Sequence, residues 1–230
     1  MRAHPSFYFS LRSPYSWLAL HDLRRMRPDL LATVRLVPFW EPDAGFQEQL
    51  GADGDAFLYR PMSREKHLYI LGDVRRLAAR RGLRPTWPVD RSPRWEVPHL
   101  AWIVADRHGK GLAFLERATL ARWQEGADIC DPVVIARLAG ALDLDADALS
   151  SAHTNAAIRE IGLAHLRCCI RDDVFGVPFF TVGREKFWGI DRLEDFLGAV
   201  ESVAGSGPAQ PPCGDGRPAQ GVFDHAGGCG

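Results

Sequence analysis

The chain has 230 residues, 46% hydrophobic and 25% charged, with a formal net charge of -1 at pH 7. That length and composition supply one packed core, or one domain carrying an inserted subdomain. The near-zero charge leaves no basic stripe for a nucleic acid, and no apolar run approaches the ~20 residues needed to span a bilayer.

Phe7 to Phe9 reads as a short buried strand. The apolar stretch around it is broken by Ser10, Arg12 and Ser13, so no signal-peptide core fits there and the expected location is the cytoplasm. Pro14 stands at the first helical position behind Ser13, where its missing N–H is harmless. Tyr15 to Met26 then reads as a helix, with Trp17, Leu18, Leu20, Leu23 and Met26 as its apolar positions. Thr33 to Phe39 alternates and is β-branched, which predicts a second strand. No strand signal follows until about Val177. Helices are expected over Ser63 to Arg81, Val97 to Asp106, Leu112 to Trp123, Asp131-Pro132 to Ala141, Asp145 to Ser151 and Thr154 to Arg171. Val177 to Val182 predicts a strand entered through a Val-Pro, and Arg184 to Gly189 its hairpin partner across Gly183. Asp191 is expected to cap a last helix over Arg192 to Val203.

The order β-α-β, helices, β-β-α predicts an α/β protein: a thioredoxin-like fold with a large all-helical insertion between its N-terminal and C-terminal units. Residues 1-40 and 172-204 would form the thioredoxin-like domain and 41-171 the insertion. Residues 205-230 are rich in Gly, Pro and Ala and are expected to be a disordered tail.

In such a frame the turn after the first strand is the reactive position, because the following helix aims its unpaired N–H groups and positive dipole end at it. A cysteine there would perform disulfide chemistry. This chain has Ser13 and Ser16 instead, and no Cys-x-x-Cys anywhere. Dithiol exchange at the turn is therefore excluded. A serine keeps the electropositive pocket and can stabilise the thiolate of another molecule. A charge-assisted hydrogen bond worth about 1.5–3 kcal/mol lowers a thiol pKa by about one to two units. Across the site, Pro178 is expected in the cis form, which leaves the backbone of Val177 to pair with a bound thiol peptide as a short added strand.

These residues resemble the 2-hydroxychromene-2-carboxylate isomerases and the related kappa-class glutathione transferases, members of the DsbA-like thioredoxin superfamily. The resemblance runs to about Val203. "FYF…SPYSWLA" is similar to the N-terminal signature, "KHLYILGDVRRLA" (Lys66 to Ala78) to a Lys-x-x-Tyr-x-x-x-Asp helix, "W…DICDP" (Trp123, Asp128 to Pro132) to a third element, and "VFGVPFFTV…FWGIDRLEDF" to the C-terminal signature. The resemblance implies glutathione, or another low-molecular-weight thiol, with its sulfur at Ser13. Val177, Pro178, Ile190 and Asp191 would form the binding loop, with Lys66 reaching in from the insertion. It also implies a homodimer acting on a small molecule: an unsaturated aromatic or polyketide-like carbonyl compound is isomerised cis–trans by reversible thiolate addition. A transferase would instead leave a stable thioether. Three positions depart from the family pattern. Ile190 replaces a side-chain donor, Ser10 replaces an Asp, and the loop before the Lys66 helix lacks an Asn, so a thiol other than glutathione stays open, as does a thiol-independent isomerase or binding protein on the same fold.

Arg12, Tyr15, Trp17 and Tyr69 are the candidate substrate contacts. Arg12 could hold a carboxylate or be a solvated surface residue, and one of Tyr15 and Trp17 is expected in the core. Ser16 reads as a solvated first-turn residue, Phe187 and Trp188 as core, and Cys168-Cys169 as buried and inert. The five cysteines are expected as free thiols. No metal site is expected, since Cys213, His225 and Cys229 fit no tight zinc spacing.

Overall fold

All four residues of β1 (Ser6–Phe9) are buried, as expected of the central strand of a sheet covered on both faces. It pairs in parallel with β2 (Arg35–Pro38) and antiparallel with β3 (Phe179–Val182). β3 in turn pairs antiparallel with β4 (Glu185–Trp188), giving the order β2-β1-β3-β4. The structure is a computed structural model and describes residues 4–58 and 62–205. The expected tail, with Cys213, His225 and Cys229, lies outside the described residues, apart from Gly205.

Between β1 and β2 lie α1 (Pro14–Met26) and the single turn α2 (Pro28–Leu31). The helical block between β2 and β3 comprises α3 (Ala44–Ala52), α4 (Arg64–Arg80), α5 (Glu96–Arg107), α6 (Gly111–Trp123), α7 (Pro132–Gly140), α8 (Ala146–Ser150) and α9 (Ala156–Arg171). A 3-10 turn over Ile190–Arg192 leads into α10 (Leu193–Gly205). The fold is the thioredoxin-like one with a helical insertion.

Beyond shifts of a residue or two at element ends, the main departures from expectation concern α3, α9 and Asp191. α3 was not expected, because two glycines interrupt it and only Phe46 and Leu50, one turn apart, face inward; Asp43 starts it by accepting from the Phe46 N–H. α9 begins at Ala156 and is capped by Asn155, not Thr154, which belongs to a preceding 3-10 turn; the Asn155 side chain accepts from the Ile158 N–H at 3.2 Å. Asp191 does not cap the last helix. It sits inside the 3-10 turn, which Gly189 enters at φ 104°, and makes no capping bond.

Side-chain alternation puts Phe7, Phe9, Phe180 and Val182 on one face of the sheet, within the main core, and Tyr8, Val37 and Phe179 on the other. The main core continues into the helical block: Phe9 meets Trp102 of α5 edge-on at 5.1 Å. α9 crosses α5 at Gly162, where an added Cβ would stand 2.6 Å from Leu100 Cδ2 and 3.3 Å from the Phe46 ring. Gly162→Ala is therefore expected to destabilise by about 1–3 kcal/mol through overpacking, despite alanine's better helix propensity; a midpoint in urea at or above wild type contradicts this. No helix among the described residues is long and apolar enough to cross a membrane.

Candidate active site

Because β1 is parallel to β2 and antiparallel to β3, the turn leaving Phe9 and the loop entering Phe179 meet at one end of the sheet. Ser13 caps α1 there. Its Oγ accepts from the Ser16 N–H at 3.2 Å and stands 3.4 Å from the carbonyl oxygen of Val177, to which it donates. The Val177–Pro178 bond is cis. Pro14 has no N–H and the Trp17 N–H bonds to Ser13 O. The Tyr15 N–H is thus the first-turn donor without a hydrogen-bond partner among the described residues, as is the N–H of Val177 across the gap. A half-buried hydroxyl, an unpaired amide and the positive end of a 13-residue helix converge on one point, an arrangement suited to an anion such as a thiolate.

The surrounding candidates divide. Ile190 packs against both the main core and the smaller cluster of Trp17, Leu18 and Val74, and the 3-10 turn carrying Asp191 lies beside α1; the Asp191 side chain is exposed. Tyr15 donates to Asp73 of α4 at 2.8 Å, and burial, followed by this bond, pushes its phenol pKa upward. Trp17 is the core member of the pair: it is 4% exposed and stacked on Trp123 at 6.3 Å. Arg12 bonds Glu41 at 2.9 Å and lies over the Trp95 ring. Lys66 and Tyr69 stand on exposed outer turns of α4, two turns and one turn before Asp73, and neither bonds the Ser13 turn. A cleft of about 330 Å³ lies on the Glu41 side, lined by Pro42, Gln47, Asp55 and Phe57 among others, and does not include Ser13.

Two expectations are corrected. Ser16 is 2% exposed, not solvated, because its Oγ faces inward and accepts the Ser10 N–H at 3.2 Å. Trp188 is not core: it ends the edge strand β4, is 51% exposed and meets the exposed Phe175 ring edge-on at 4.9 Å beside the Val177 loop. Phe187, on the opposite face of β4, packs against Phe196. Cys130, Cys168 and Cys169 are free and buried; burial pushes the Cys130 thiol up to about 12. Among the described residues no cluster of His, Cys, Asp and Glu could hold a metal ion.

The residue that sequence reasoning missed is His99 of α5, which has no exposed surface. Its Nδ1 lies 2.6 Å from Trp95 O, and its Nε2 accepts the Leu11 N–H at 3.1 Å. Its partner lies 88 positions upstream, beyond any local pattern. Burial holds its pKa down to about 3, and burial likewise holds His165 down to about 4. Between these values and the ordinary ~6.5 the unfolded chain binds protons that the folded chain does not. Stability from both histidines is therefore complete above pH 6.5 and falls as pH drops toward 4, by up to about 1.4 kcal/mol per pH unit for each. Urea unfolding between pH 7 and 4.5 should show this slope, reduced in His99→Gln; an unchanged slope in that variant would assign the proton uptake elsewhere.

The chain matches the DSBA-like thioredoxin domain family over residues 6–201. It is 31% identical over 196 residues to a 2-hydroxychromene-2-carboxylate isomerase of Sphingobium xenophagum, covering 83% of this chain and 94% of that protein. A solved structure of a 2-hydroxychromene-2-carboxylate isomerase superposes with a TM-score of 0.66 at 22% identity, over 87% of this chain and 95% of that one. The cytosolic disulfide reductase DsbM of Pseudomonas aeruginosa, solved with GSH, superposes at 0.51 with 19% identity, over 87% and 98%.

Proposed function

The chain belongs to the DSBA-like thioredoxin domain family and is an isomerase of the 2-hydroxychromene-2-carboxylate isomerase type, and from that premise we propose that it works with a thiol supplied by glutathione or a similar small molecule. The observation that carries this reading is Ser13: a serine where a redox relative needs cysteine, capping α1 with its hydroxyl 3.4 Å from Val177 O. The thiolate sits at the helix N-terminus, where the Ser13 hydroxyl leaves its long bond to Val177 O and donates to sulfur, joined by the Tyr15 N–H. The backbone of Val177 pairs with the thiol's own backbone, and Asp191 takes its amino end. Ile190, lacking a donor, supplies only packing. Lys66 and Tyr69 act from the α4 side, and Arg12 takes the substrate carboxylate in exchange for Glu41.

The reaction balances without an oxidant. Thiolate adds to the conjugated carbon of an unsaturated aromatic or polyketide-like carbonyl compound, and the C=C electron pair moves to the carbonyl oxygen as an enolate. The resulting single bond rotates. The enolate pair then returns, the C–S bond breaks, and the thiolate leaves to Ser13. Stabilising the anion at Ser13 serves both attack and departure. A homodimer is part of the same proposal and rests on the sequence resemblance.

The test is incubation with 2-hydroxychromene-2-carboxylate, with and without glutathione, followed by absorbance and mass spectrometry. Thiol-dependent isomerisation with free thiol recovered is the expected result. Turnover equal without any thiol would remove the thiol from the mechanism, and an accumulating thioether would make the protein a transferase.

A further inference from the structure

The Ser13 turn is held from within the core. Ser10 O accepts the Ser13 N–H at 3.0 Å, and the Ser10 N–H is held by Ser16 Oγ. The Arg12 N–H points to Ser10 Oγ at 3.3 Å, and that hydroxyl lies 3.3 Å from His99 Nε2. The same Nε2 accepts the Leu11 N–H. His99 itself is fixed on its other side by Trp95 O and by the Trp40 ring stacked at 5.5 Å and 18°. Since Trp95 O can only accept, Nδ1 carries the proton and Nε2 presents its lone pair to the turn.

We propose that His99, neutral and protonated at Nδ1, is the positioning residue that sets the Leu11–Ser13 turn and so fixes the Ser13 hydroxyl against Val177. Its value to catalysis rests on the reading of Ser13 given above; its grip on the turn does not. Leu11 is fully buried, so its N–H has no water to turn to and the acceptor must come from the protein. Only an acceptor at the Nε2 position meets that need. A charged imidazole would present N–H to N–H and drive the turn away. The groups that bear on this proton are Arg122 of α6, which disfavours the charged form, and the dipoles of Trp95 O and the Leu11 N–H. His99 thereby ties α5, the central helix of the insertion, to the reactive turn of the thioredoxin-like layer.

Three measurements on the full chain test this. Long-range nitrogen NMR of the wild type should show His99 as the Nδ1–H form with unprotonated Nε2 from pH 5 to 8; the opposite tautomer or an imidazolium at pH 7 overturns the proposal. Amide exchange should be faster at Leu11 and Ser13 in His99→Leu by about tenfold or more, the loss expected for one buried hydrogen bond, and nearer to wild type in His99→Gln, whose amide oxygen can replace Nε2. Equal protection in both variants and wild type overturns it. Isomerisation should lose kcat by up to about 100-fold in His99→Leu, as for a misplaced catalytic group, with KM for 2-hydroxychromene-2-carboxylate little changed and kcat largely rescued in His99→Gln. Equal loss in both variants counts against positioning. A wild type with no isomerase activity would sink the reading of Ser13 and leave the tautomer and exchange results to decide the role of His99.

Discussion

Ser13→Ala should lower kcat/KM for thiol-assisted isomerisation by about 10- to 100-fold, the equivalent of one charge-assisted hydrogen bond. The substitution should cost only about 1 kcal/mol of stability, through loss of a helix cap. The two effects separate because the hydroxyl has two tasks. As acceptor it holds the Ser16 N–H, which ordinary capping explains; as donor it has only a 3.4 Å bond to Val177 O, long enough to be given up to a better acceptor. Calorimetry with glutathione and other small thiols reads the donor task directly: binding should weaken in Ser13→Ala above pH 7, where the thiolate is populated. Ser13→Cys makes the complementary case. A thiol at this helix N-terminus should have a lowered pKa, and its thiolate should attack oxidised glutathione, forming a protein–glutathione disulfide and releasing one glutathione thiolate. If Ser13→Ala binds thiols as tightly as wild type and keeps full activity, the anion is held elsewhere.

What the sequence made legible here was local. Ser13-Pro14 announces a helix start by the chemistry of its own two residues, and Val177-Pro178 announces itself in the same way; the structure then brings Ser13 and Val177 together across the sheet end. What was not legible depends on partners far along the chain. Ser16 looks like a surface residue until the Ser10 N–H is found pointing at it. Trp188 looks like core because its strand is aromatic, yet β4 is the sheet edge and the ring, set against Gly176 and Phe175, stays half exposed. His99 lies in a helix buried on every side, where a polar residue stands out only once the Leu11 N–H arrives from the other layer. α3 fell below detection because two inward residues define no period.

The largest stability effect should come from outside the site, at Asp90. Arg122 is the most deeply buried guanidinium in the ion pairs described here, its side chain 3% exposed. It lies between the rings of Trp95 and Trp123, 5.0 and 4.8 Å from their centroids. Asp90 answers its charge through two bonds, 2.9 and 2.8 Å long. Arginine does not shed its proton, so Asp90→Ala would leave a buried charge without its anion, at a cost of about 3–5 kcal/mol. Removing both charges is a different matter. Asp90→Ala with Arg122→Met replaces the pair by a flexible apolar chain between two indoles and should unfold within about 1 kcal/mol of wild type. Urea unfolding of the single and double variants measures this; a single Asp90→Ala variant as stable as wild type would show that water reaches the guanidinium. The consequence reaches the active site, because Trp95 carries Arg12 over its ring as well, and Trp95 O holds His99. An indole released by Arg122 frees both, so Asp90→Ala should also raise amide exchange at Leu11, whereas the double variant, with the indole again packed, should not.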